Sequence, residues 1–337
     1  MILSAQSLSE LQACPRRFLL NYDFEVLHWR PKSLLDACLR AGILRVSHAE
    51  DPSAVASDMK AQFLQAAANP GLDAPRGTDT YKLAKDYCAL LDTILRAAAR
   101  WELPALADSP VVSLNSTTSW QPLASIDATG ELHRFTTVDR WGDNDLSREL
   151  HSWHVFGDIS TTRRPMTIHV IEIGQTRNGR RASPWARGWR HPTMPNLRMR
   201  FVHQDGSTFK GWTPMYLADY ANSDPAAWVE QMFREGVAQT LVRTVPVAAP
   251  SDPVIADTLS QILLEAARAS VLITERRSIP WSALPMSRAA CDSMIPCPFQ
   301  PCCHSEKVNI NEIGLYLPRK QAYAAVQGGS NGAYSRT

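Results

Sequence analysis

The chain of 337 residues carries 35 Lys and Arg against 33 Asp and Glu, so its formal net charge is only +2. This length allows one large hydrophobic core or two modest ones, and 45% hydrophobic residues is ordinary for a globular protein. No apolar run reaches the length of a membrane span, and the N-terminus lacks the basic-then-apolar pattern of a signal peptide. The sequence therefore argues against a membrane-bound or secreted protein and predicts a cytoplasmic one.

The first hundred residues are predicted to be mainly helical. The Ser7–Glu10 segment has the capping-box pattern, which predicts a helix through Cys14 with a boundary or kink at Pro15. Apolar residues at helical spacing predict two further stretches of helix, over residues 33–68 and from about Thr80 to Trp101. We expect a helical N-terminal arm over residues 1–105.

Between about residues 110 and 220, β-branched and aromatic runs favour strands. Strands are predicted at Phe135–Val138, Trp153–Phe156, Met166–Ile173, 197–203 and 209–217, the last two joined by the turn signal Asp205-Gly206. Helices are predicted to return at 225–242 and 253–273. This order predicts an α/β fold with a β-rich core over 106–245, C-terminal helices and cysteines over 246–326, and a disordered tail over 327–337.

Four cysteines lie close together near the C-terminus, at Cys291, Cys297, Cys302 and Cys303, and Cys14 lies far from them in sequence. Several thiolates in one proline-broken loop are poor core material but good soft ligands for zinc or an iron–sulfur centre. Disulfides are disfavoured in the cytosol, so metal ligation is the expected role. A ligand set drawn from both ends would tie the N-terminal helix to the C-terminal tail.

The segment from Arg163 to Arg200 is rich in arginine and has Glu172 as its only acidic residue. Arginines with interleaved aromatic residues suit a phosphate backbone and unstacked bases. The candidate nucleic-acid-binding residues are Arg177, Arg180, Arg181, Arg187, Arg190 and Trp185. The alternative interpretation is a solvated hairpin rim, since charge runs are usually surface features.

The Cys-Pro-Arg-Arg-Phe segment at 14–18 resembles the opening of RecB-type nucleases of the PD-(D/E)XK superfamily. In the iron–sulfur branch of that group, which includes AddB and the CRISPR-adaptation exonucleases, this cysteine is the first cluster ligand. Cys297-Pro298-Phe299 followed by Cys303 is similar to the C-terminal half of the motif, whereas Cys291 lies further from Cys297 than in the family. The resemblance implies a 4Fe-4S cluster on Cys14, Cys291, Cys297 and Cys303. Cys302 is an alternative to Cys303, and structural zinc is an alternative to the cluster.

The same resemblance implies a restriction-endonuclease-like core, a central mixed sheet flanked by helices, with Mg²⁺ or Mn²⁺ at the active site. In this family a His on an N-terminal helix and two carboxylates on adjacent strands hold the metals, helped by a Lys. His48 is similar to the family's histidine, with two extra residues after Gly42. Asp139, followed by Arg140, looks like the first aspartate. The alternatives are a surface histidine and a turn-starting aspartate.

The second carboxylate has two candidates, Asp158 and Glu172, and Gln175 completes the set of candidate catalytic residues. Ser160 and Gly174 stand where the family's lysine is expected, so the lysine is missing in either alignment. Such a lysine would position and deprotonate the attacking water, and its loss usually lowers the rate steeply. A buried carboxylate is nevertheless costly unless it is paired, which favours a cation site.

The resulting hypothesis is a DNA exonuclease or endonuclease, of a type that a phage or prophage could carry. Its expected partners are single-stranded or end-containing DNA and a helicase or recombination protein, without a membrane. The missing lysine supports a second hypothesis, in which the chain keeps the nuclease fold and its cluster but acts as a non-catalytic DNA-binding or scaffold protein.

Overall fold

The computed structural model describes residues 2–26, 31–67, 80–139, 152–177, 180–182, 225–234, 236, 238–275, 287 and 316–318. The helices are α1 (Ala5–Ala13), α2 (Pro15–Asp23), α3 (Pro31–Ser47), α4 (Pro52–Ala67), α5 (Thr80–Ala98), α6 (Trp153–Thr162), α7 (Pro225–Arg234) and α8 (Asp252–Glu275), with a 3-10 turn at Ala238–Thr240. The strands are β1 (Ile2–Leu3), β2 (Phe24–Val26), β3 (Leu106–Asp108), β4 (Val112–Ser113), β5 (Ser119–Trp120), β6 (Ser125–Asp127), β7 (Leu132–Val138), β8 (Met166–Glu172), β9 (Gln175–Arg177), β10 (Arg180–Ala182), β11 (Val242–Val247) and β12 (Tyr316–Pro318).

A five-stranded mixed sheet lies at the centre of the fold, in the order β11-β8-β7-β6-β3. β3, β6 and β7 are antiparallel neighbours, β7 and β8 run parallel, and β11 is antiparallel to β8. The segment that connects the two parallel strands contains α6, in keeping with the long crossover that parallel neighbours need. The chain therefore has an α/β fold with a mixed sheet flanked by helices.

Alternate residues of each strand point to opposite sides of this sheet. On one side Phe135 and Ile171 pack with α3, α4 and α5 in the largest core cluster, and we call this side the arm face. On the other side Leu132 and Ile168 pack against Ile159 of α6, and we call this the α6 face. Each core thus takes its strand residues from one side of the sheet.

The first hundred residues are mainly helical, as predicted, but the helix boundaries differ. α1 begins earlier than expected because Ser4 is its N-cap: Ser7 N–H donates to Ser4 Oγ, and Ser4 N–H donates to Ser7 Oγ. The boundary predicted at Pro15 is confirmed, since α1 ends at Ala13 with Cys14 as its C-cap and α2 begins at the proline.

The single helical stretch predicted over 33–68 is two helices, α3 and α4. Ala49 takes a left-handed conformation with φ of 62°, which ends the first helix. Pro52 then occupies the first position of the second helix, where its missing N–H costs nothing. The carboxylate of Asp51 accepts a hydrogen bond from Ala54 N–H at 3.0 Å and caps it.

Two other element predictions are wrong. The Trp153–Phe156 run is the first turn of α6 and not a strand, a known ambiguity for short apolar runs. The helix predicted over 225–242 ends at Arg234, before Gly236 with its positive φ of 69°, and residue 242 begins strand β11.

The remaining element predictions agree with the structure where it describes them. The strands predicted at Phe135–Val138 and Met166–Ile173 correspond to β7 and β8, and the helix predicted at 253–273 corresponds to α8. The strands predicted at 197–203 and 209–217 lie outside the described residues. Within the described ranges, no helix combines the length and the apolar character needed to cross a lipid bilayer.

The packing of α6 on Trp120 can be tested at Gly157. A Cβ added to this glycine would lie 2.3 Å from Cζ2 of the fully buried Trp120 ring. We expect Gly157→Ala to lower the free energy of unfolding in urea by about 1–3 kcal/mol, the usual cost of overpacking. Ser160→Ala is the control in the same helix, because the buried Ser160 hydroxyl has no hydrogen-bond partner within the part of the chain that the structure describes. A Gly157→Ala protein as stable as wild type would contradict this packing.

Candidate metal centre

The hairpin between β6 and β7 is held by one aspartate side chain. Oδ1 of Asp127 accepts hydrogen bonds from the backbone N–H groups of Thr129 and Glu131, each at 2.9 Å, and from the Thr129 hydroxyl at 2.8 Å. Gly130 supplies the positive φ of 88° that the tight turn requires. The turn uses Oδ1 of Asp127 and leaves Oδ2 directed to its neighbours on the sheet.

Three side chains meet beside this turn, and we call Asp127, Glu131 and His133 the hairpin triad. Each offers one ligand atom, and the three ligand atoms all lie within 4.8 Å of one another. Nε2 of His133 is 3.4 Å from Oδ2 of Asp127. Glu131 and His133 are separated by one residue at the start of a strand, so both point to the same face.

Two side chains from β8 support the triad. The hydroxyl of Thr167 donates a hydrogen bond to Oε1 of Glu131. Nε2 of His169 lies 3.1 Å from Nδ1 of His133, and the two rings are stacked with centroids 5.4 Å apart. His169 also stacks on Phe135, with centroids 4.6 Å apart. The strand register explains this arrangement, since it pairs His133 with Thr167 and Phe135 with His169.

Two of the three triad side chains are largely shielded from solvent. The side chains of His133 and Asp127 are only 8% and 7% exposed. Burial raises the pKa of Asp127, but hydrogen bonds from Thr129, from the Glu131 amide and from His133 outweigh it, so the pKa lies below the ordinary value. Burial and the neighbouring His133 lower the pKa of His169 to about 4. At neutral pH Asp127 is therefore ionised and His169 is neutral.

Carboxylate oxygens with an imidazole nitrogen form a donor set for divalent ions such as Mn²⁺, Fe²⁺ or Zn²⁺. In the triad Asp127 and Glu131 provide the oxygens and His133 provides the nitrogen. Thr167 and His169 bond to two of these ligands, as outer residues commonly do around protein metal sites. The residues present therefore fit a divalent cation.

The carboxylates predicted from the sequence do not converge in the same way. Val138 and Glu172 are register partners on β7 and β8, so both side chains point to the α6 face. Asp139 follows Val138 and lies 4.0 Å from Nζ of Lys32, which belongs to α3 on the arm face. Asp139 and Glu172 thus lie on opposite faces, at the other end of β7 from the hairpin triad.

Asp158 lies on α6, so its expected position on a strand is wrong. Its side chain is fully buried, and Oδ1 accepts a hydrogen bond from Nε1–H of Trp120 at 2.9 Å. Oδ2 accepts two more, from the backbone N–H groups of Leu123 at 2.9 Å and Ala124 at 3.0 Å. Burial raises the pKa of Asp158 although these donors lower it. Both oxygens serve the fold by satisfying buried donors.

His48 lies at the same end of the sheet as the triad. It follows α3, and its Nε2 lies 2.8 Å from the carbonyl oxygen of Leu106. Leu106 is the register partner of Asp127, and its N–H donates to Ser47 Oγ at 3.0 Å. His48 is therefore close to the hairpin but is not one of the three converging ligands, because its Nε2 bonds the edge strand.

Most of the other predicted site residues lie either in the β9–β10 hairpin or outside the described residues. Gln175, Arg177, Arg180 and Arg181 belong to the antiparallel hairpin β9–β10, in which Arg177 pairs with Arg180. This hairpin follows the end of β8 that is distant from Thr167. Cys291, Cys297, Cys302, Cys303, Arg187, Arg190 and Trp185 lie outside the described residues.

Comparison with known protein families, with curated proteins and with solved structures found no match. The likeness of the cysteine motifs to the iron–sulfur nucleases therefore stays a prediction. The geometry of the hairpin triad is the stronger ground for a functional proposal.

The sequence does contain a signal for the triad. Asp127-Ala-Thr-Gly130 has turn composition, and Glu131 and His133 follow at the alternating spacing of one strand face. Our strand prediction began only at Phe135, so these residues were assigned to no element. Two acids and a histidine around a tight turn between strands were the missed pattern.

The structural role of Asp158 can be tested by substitution. Asp158→Ala leaves three N–H donors without this acceptor, two of them buried and one partly buried, so we expect the free energy of unfolding to fall by roughly 3 kcal/mol or more. Mn²⁺ affinity, measured by calorimetry on the folded variant, should not change. Asp139→Ala is the exposed control and should change stability by less than about 0.5 kcal/mol. If the Asp158→Ala protein were as stable as wild type but bound Mn²⁺ much more weakly, Asp158 would be a metal ligand and not a structural residue.

Proposed function

We propose that this chain is a divalent-metal-dependent nuclease that hydrolyses phosphodiester bonds of DNA at the hairpin triad. The observation that carries the proposal is the convergence of Asp127, Glu131 and His133, with ligand atoms within 4.8 Å of one another. These ligands lie where two adjacent strands of the mixed sheet meet, beside the end of a long N-terminal helix.

This layout supports the resemblance that the cysteine motifs suggested, although with different carboxylates. That family requires two carboxylates on adjacent strands and a histidine on an N-terminal helix. Asp127 ends β6 and Glu131 directly precedes β7, while His48 directly follows α3 at the same end of the sheet. The proposed site thus replaces Asp139, Asp158 and Glu172 with Asp127 and Glu131.

A divalent ion at the triad would supply the electrophilic assistance that phosphodiester hydrolysis needs, by neutralising phosphate charge and lowering the pKa of a water. The chain itself offers a cation for a second phosphate contact. Arg164 is exposed, and its guanidinium lies against the hairpin tip, since a Cβ on Gly130 would be 1.6 Å from Nη1. A guanidinium can bind phosphate oxygens through two hydrogen bonds.

The lysine that the resemblance requires is also absent at this site. Glu131 and His133 have the acid-x-base spacing of the family's third motif, with histidine in place of lysine. The second candidate function, a non-catalytic DNA-binding or scaffold protein, is favoured by that difference. Cleavage assays separate the two functions, because both predict DNA binding and only the first predicts hydrolysis.

The nuclease proposal is tested with labelled single-stranded DNA in Mn²⁺ or Mg²⁺. We expect cleavage by the wild type and a loss of more than about 100-fold in Asp127→Asn, beyond the loss typical of outer residues around a metal. Asparagine keeps an oxygen for the two amide hydrogen bonds of the turn and removes the charge. The variant should therefore stay folded, which thermal unfolding would check.

Asp139→Asn is the matched control at the other end of β7. We expect this variant to cleave at the wild-type rate. If cleavage were lost in Asp139→Asn and kept in Asp127→Asn, the active site would lie at the carboxyl ends of β7 and β8 and not at the hairpin triad. Binding of DNA by the wild type without cleavage in either metal would favour the scaffold.

The proposal includes a 4Fe-4S cluster that joins the two ends of the chain. Cys14 lies at the junction of α1 and α2 and is 2% exposed. The strand that follows α2, β2, pairs with β12, so residue 26 lies beside residue 316. The cysteines at 291–303 precede β12 by a short stretch of chain, which is consistent with ligands drawn from both ends.

Metal analysis of protein purified without oxygen tests this cluster. We expect about four irons per chain and a broad absorption band in wild type, as a 4Fe-4S centre gives, and their loss in Cys14→Ser. Cys88→Ser is the control, because burial raises the pKa of the Cys88 thiol to about 12 and keeps it from acting as a thiolate ligand. Zinc instead of iron, or an unaffected Cys14→Ser protein, would remove the cluster from the proposal.

A further inference from the structure

The contact between the two histidines restricts how the triad can bind a metal. Nδ1 of His133 and Nε2 of His169 are 3.1 Å apart, which is a hydrogen-bond distance. One hydrogen lies between them, because two bare lone pairs would repel each other and two hydrogens would collide. The hydrogen belongs either to His133 or to His169, and the choice decides the state of the other nitrogen of His133. When the hydrogen belongs to His169, Nδ1 of His133 accepts it and Nε2–H of His133 donates to Oδ2 of Asp127, so the contacts are satisfied without an ion.

When the hydrogen belongs to His133, a neutral ring leaves Nε2 as a lone pair. Nε2 then faces Oδ2 of Asp127 at 3.4 Å, so two acceptors point at each other in a site where both side chains are more than nine-tenths buried. Such a pair is stable only with a cation between the atoms. A metal ion held by Asp127 and Glu131 would meet this requirement, so metal binding favours the state in which His133 donates its Nδ1 hydrogen to His169.

His169 is held in place to accept this hydrogen. Its ring is stacked between Phe135, at an interplanar angle of 11°, and His133, at 18°. The side chain is on the buried arm face, with the residue 7% exposed. Turning the ring out of its plane would break both stacking contacts, and a half-turn that keeps the ring in its plane would replace Nε2 by Cε1 at the contact with His133. The acceptor nitrogen therefore stays aimed at His133.

We infer that His169 is a positioning residue that fixes Nε2 of His133 as a metal ligand and thereby makes the triad select a transition-metal ion over Mg²⁺. The inference rests on the metal site of the proposed function. Imidazole nitrogen suits Mn²⁺, Co²⁺ and Zn²⁺, whereas Mg²⁺ prefers an all-oxygen octahedron and keeps its waters. With Nε2 fixed as a ligand, the site offers one donor that Mg²⁺ uses poorly.

The test is calorimetric titration of the full chain with MnCl₂ and, separately, with MgCl₂. Wild type should bind Mn²⁺ at least about 10-fold more tightly than Mg²⁺. His169→Phe keeps an aromatic ring but removes the acceptor, so Mn²⁺ affinity should fall by about 10- to 100-fold, the range for outer residues. Mg²⁺ affinity should change by less than about 3-fold, since its oxygen ligands are untouched.

Two further variants separate positioning from a general effect on the fold. His169→Gln offers an oxygen that can accept the His133 hydrogen, so it should recover most of the Mn²⁺ affinity. Thr167→Val removes the hydroxyl that bonds Glu131, an oxygen ligand for either metal, so it should weaken Mn²⁺ and Mg²⁺ by similar factors.

Equal losses of Mn²⁺ and Mg²⁺ affinity in His169→Phe, or no loss of Mn²⁺ affinity, would overturn the inference. A wild type that binds neither metal would overturn the inference and the proposed site together. Selective Mn²⁺ binding that depends on His169, in a protein that cleaves no DNA, would sustain the inference and reject the nuclease.

Discussion

One carboxylate serves both the fold and the candidate site. Oδ1 of Asp127 accepts the hydrogen bonds that close the β6–β7 turn, and Oδ2 faces His133. Because the turn holds this side chain, the ligand needs no further ordering when a cation binds, which reduces the entropic cost of binding. The same turn sets the β6–β7 register that pairs Ser125 with His133 and so brings Asp127 and His133 together.

The parallel pairing of β7 and β8 divides the polar residues between the two faces of the sheet. His133 and His169 point to the arm face, on which α3, α4 and α5 pack. Glu172 and Asp158 lie on the α6 side, where the Asp158 carboxylate accepts hydrogen bonds from buried N–H groups. Carboxylates that look equivalent along the sequence therefore have different physical roles, set by strand parity and by the partners each one finds.

Sequence reasoning succeeded where the pattern is local. The long amphipathic helices, the Pro15 boundary and the β8 strand follow from spacing and from proline chemistry, which act within a few residues. It failed at Trp153–Phe156, because a four-residue apolar run fits a strand or a helix equally well. The helix there follows from the tertiary requirement that two parallel strands be joined by a crossover, and no local pattern reports that requirement.

The sequence contains a local signal for the triad itself but none for the side chains that support it. Asp127, Glu131 and His133 are near neighbours in sequence, but His169 and Thr167 reach them only through strand pairing with β8. The resemblance carried by the cysteines points instead to acids that precede arginine or follow glycine. Those features are local sequence motifs. The triad is defined instead by the face of the sheet to which each side chain points.

The central claim is that a divalent ion binds between Asp127, Glu131 and His133. Crystals grown with MnCl₂ and measured at the manganese absorption edge would locate the ion directly from its anomalous signal. The account requires a peak within coordination distance of Nε2 of His133 and of oxygens from both carboxylates. A peak beside Asp139 or Glu172, with none at the hairpin, would contradict it.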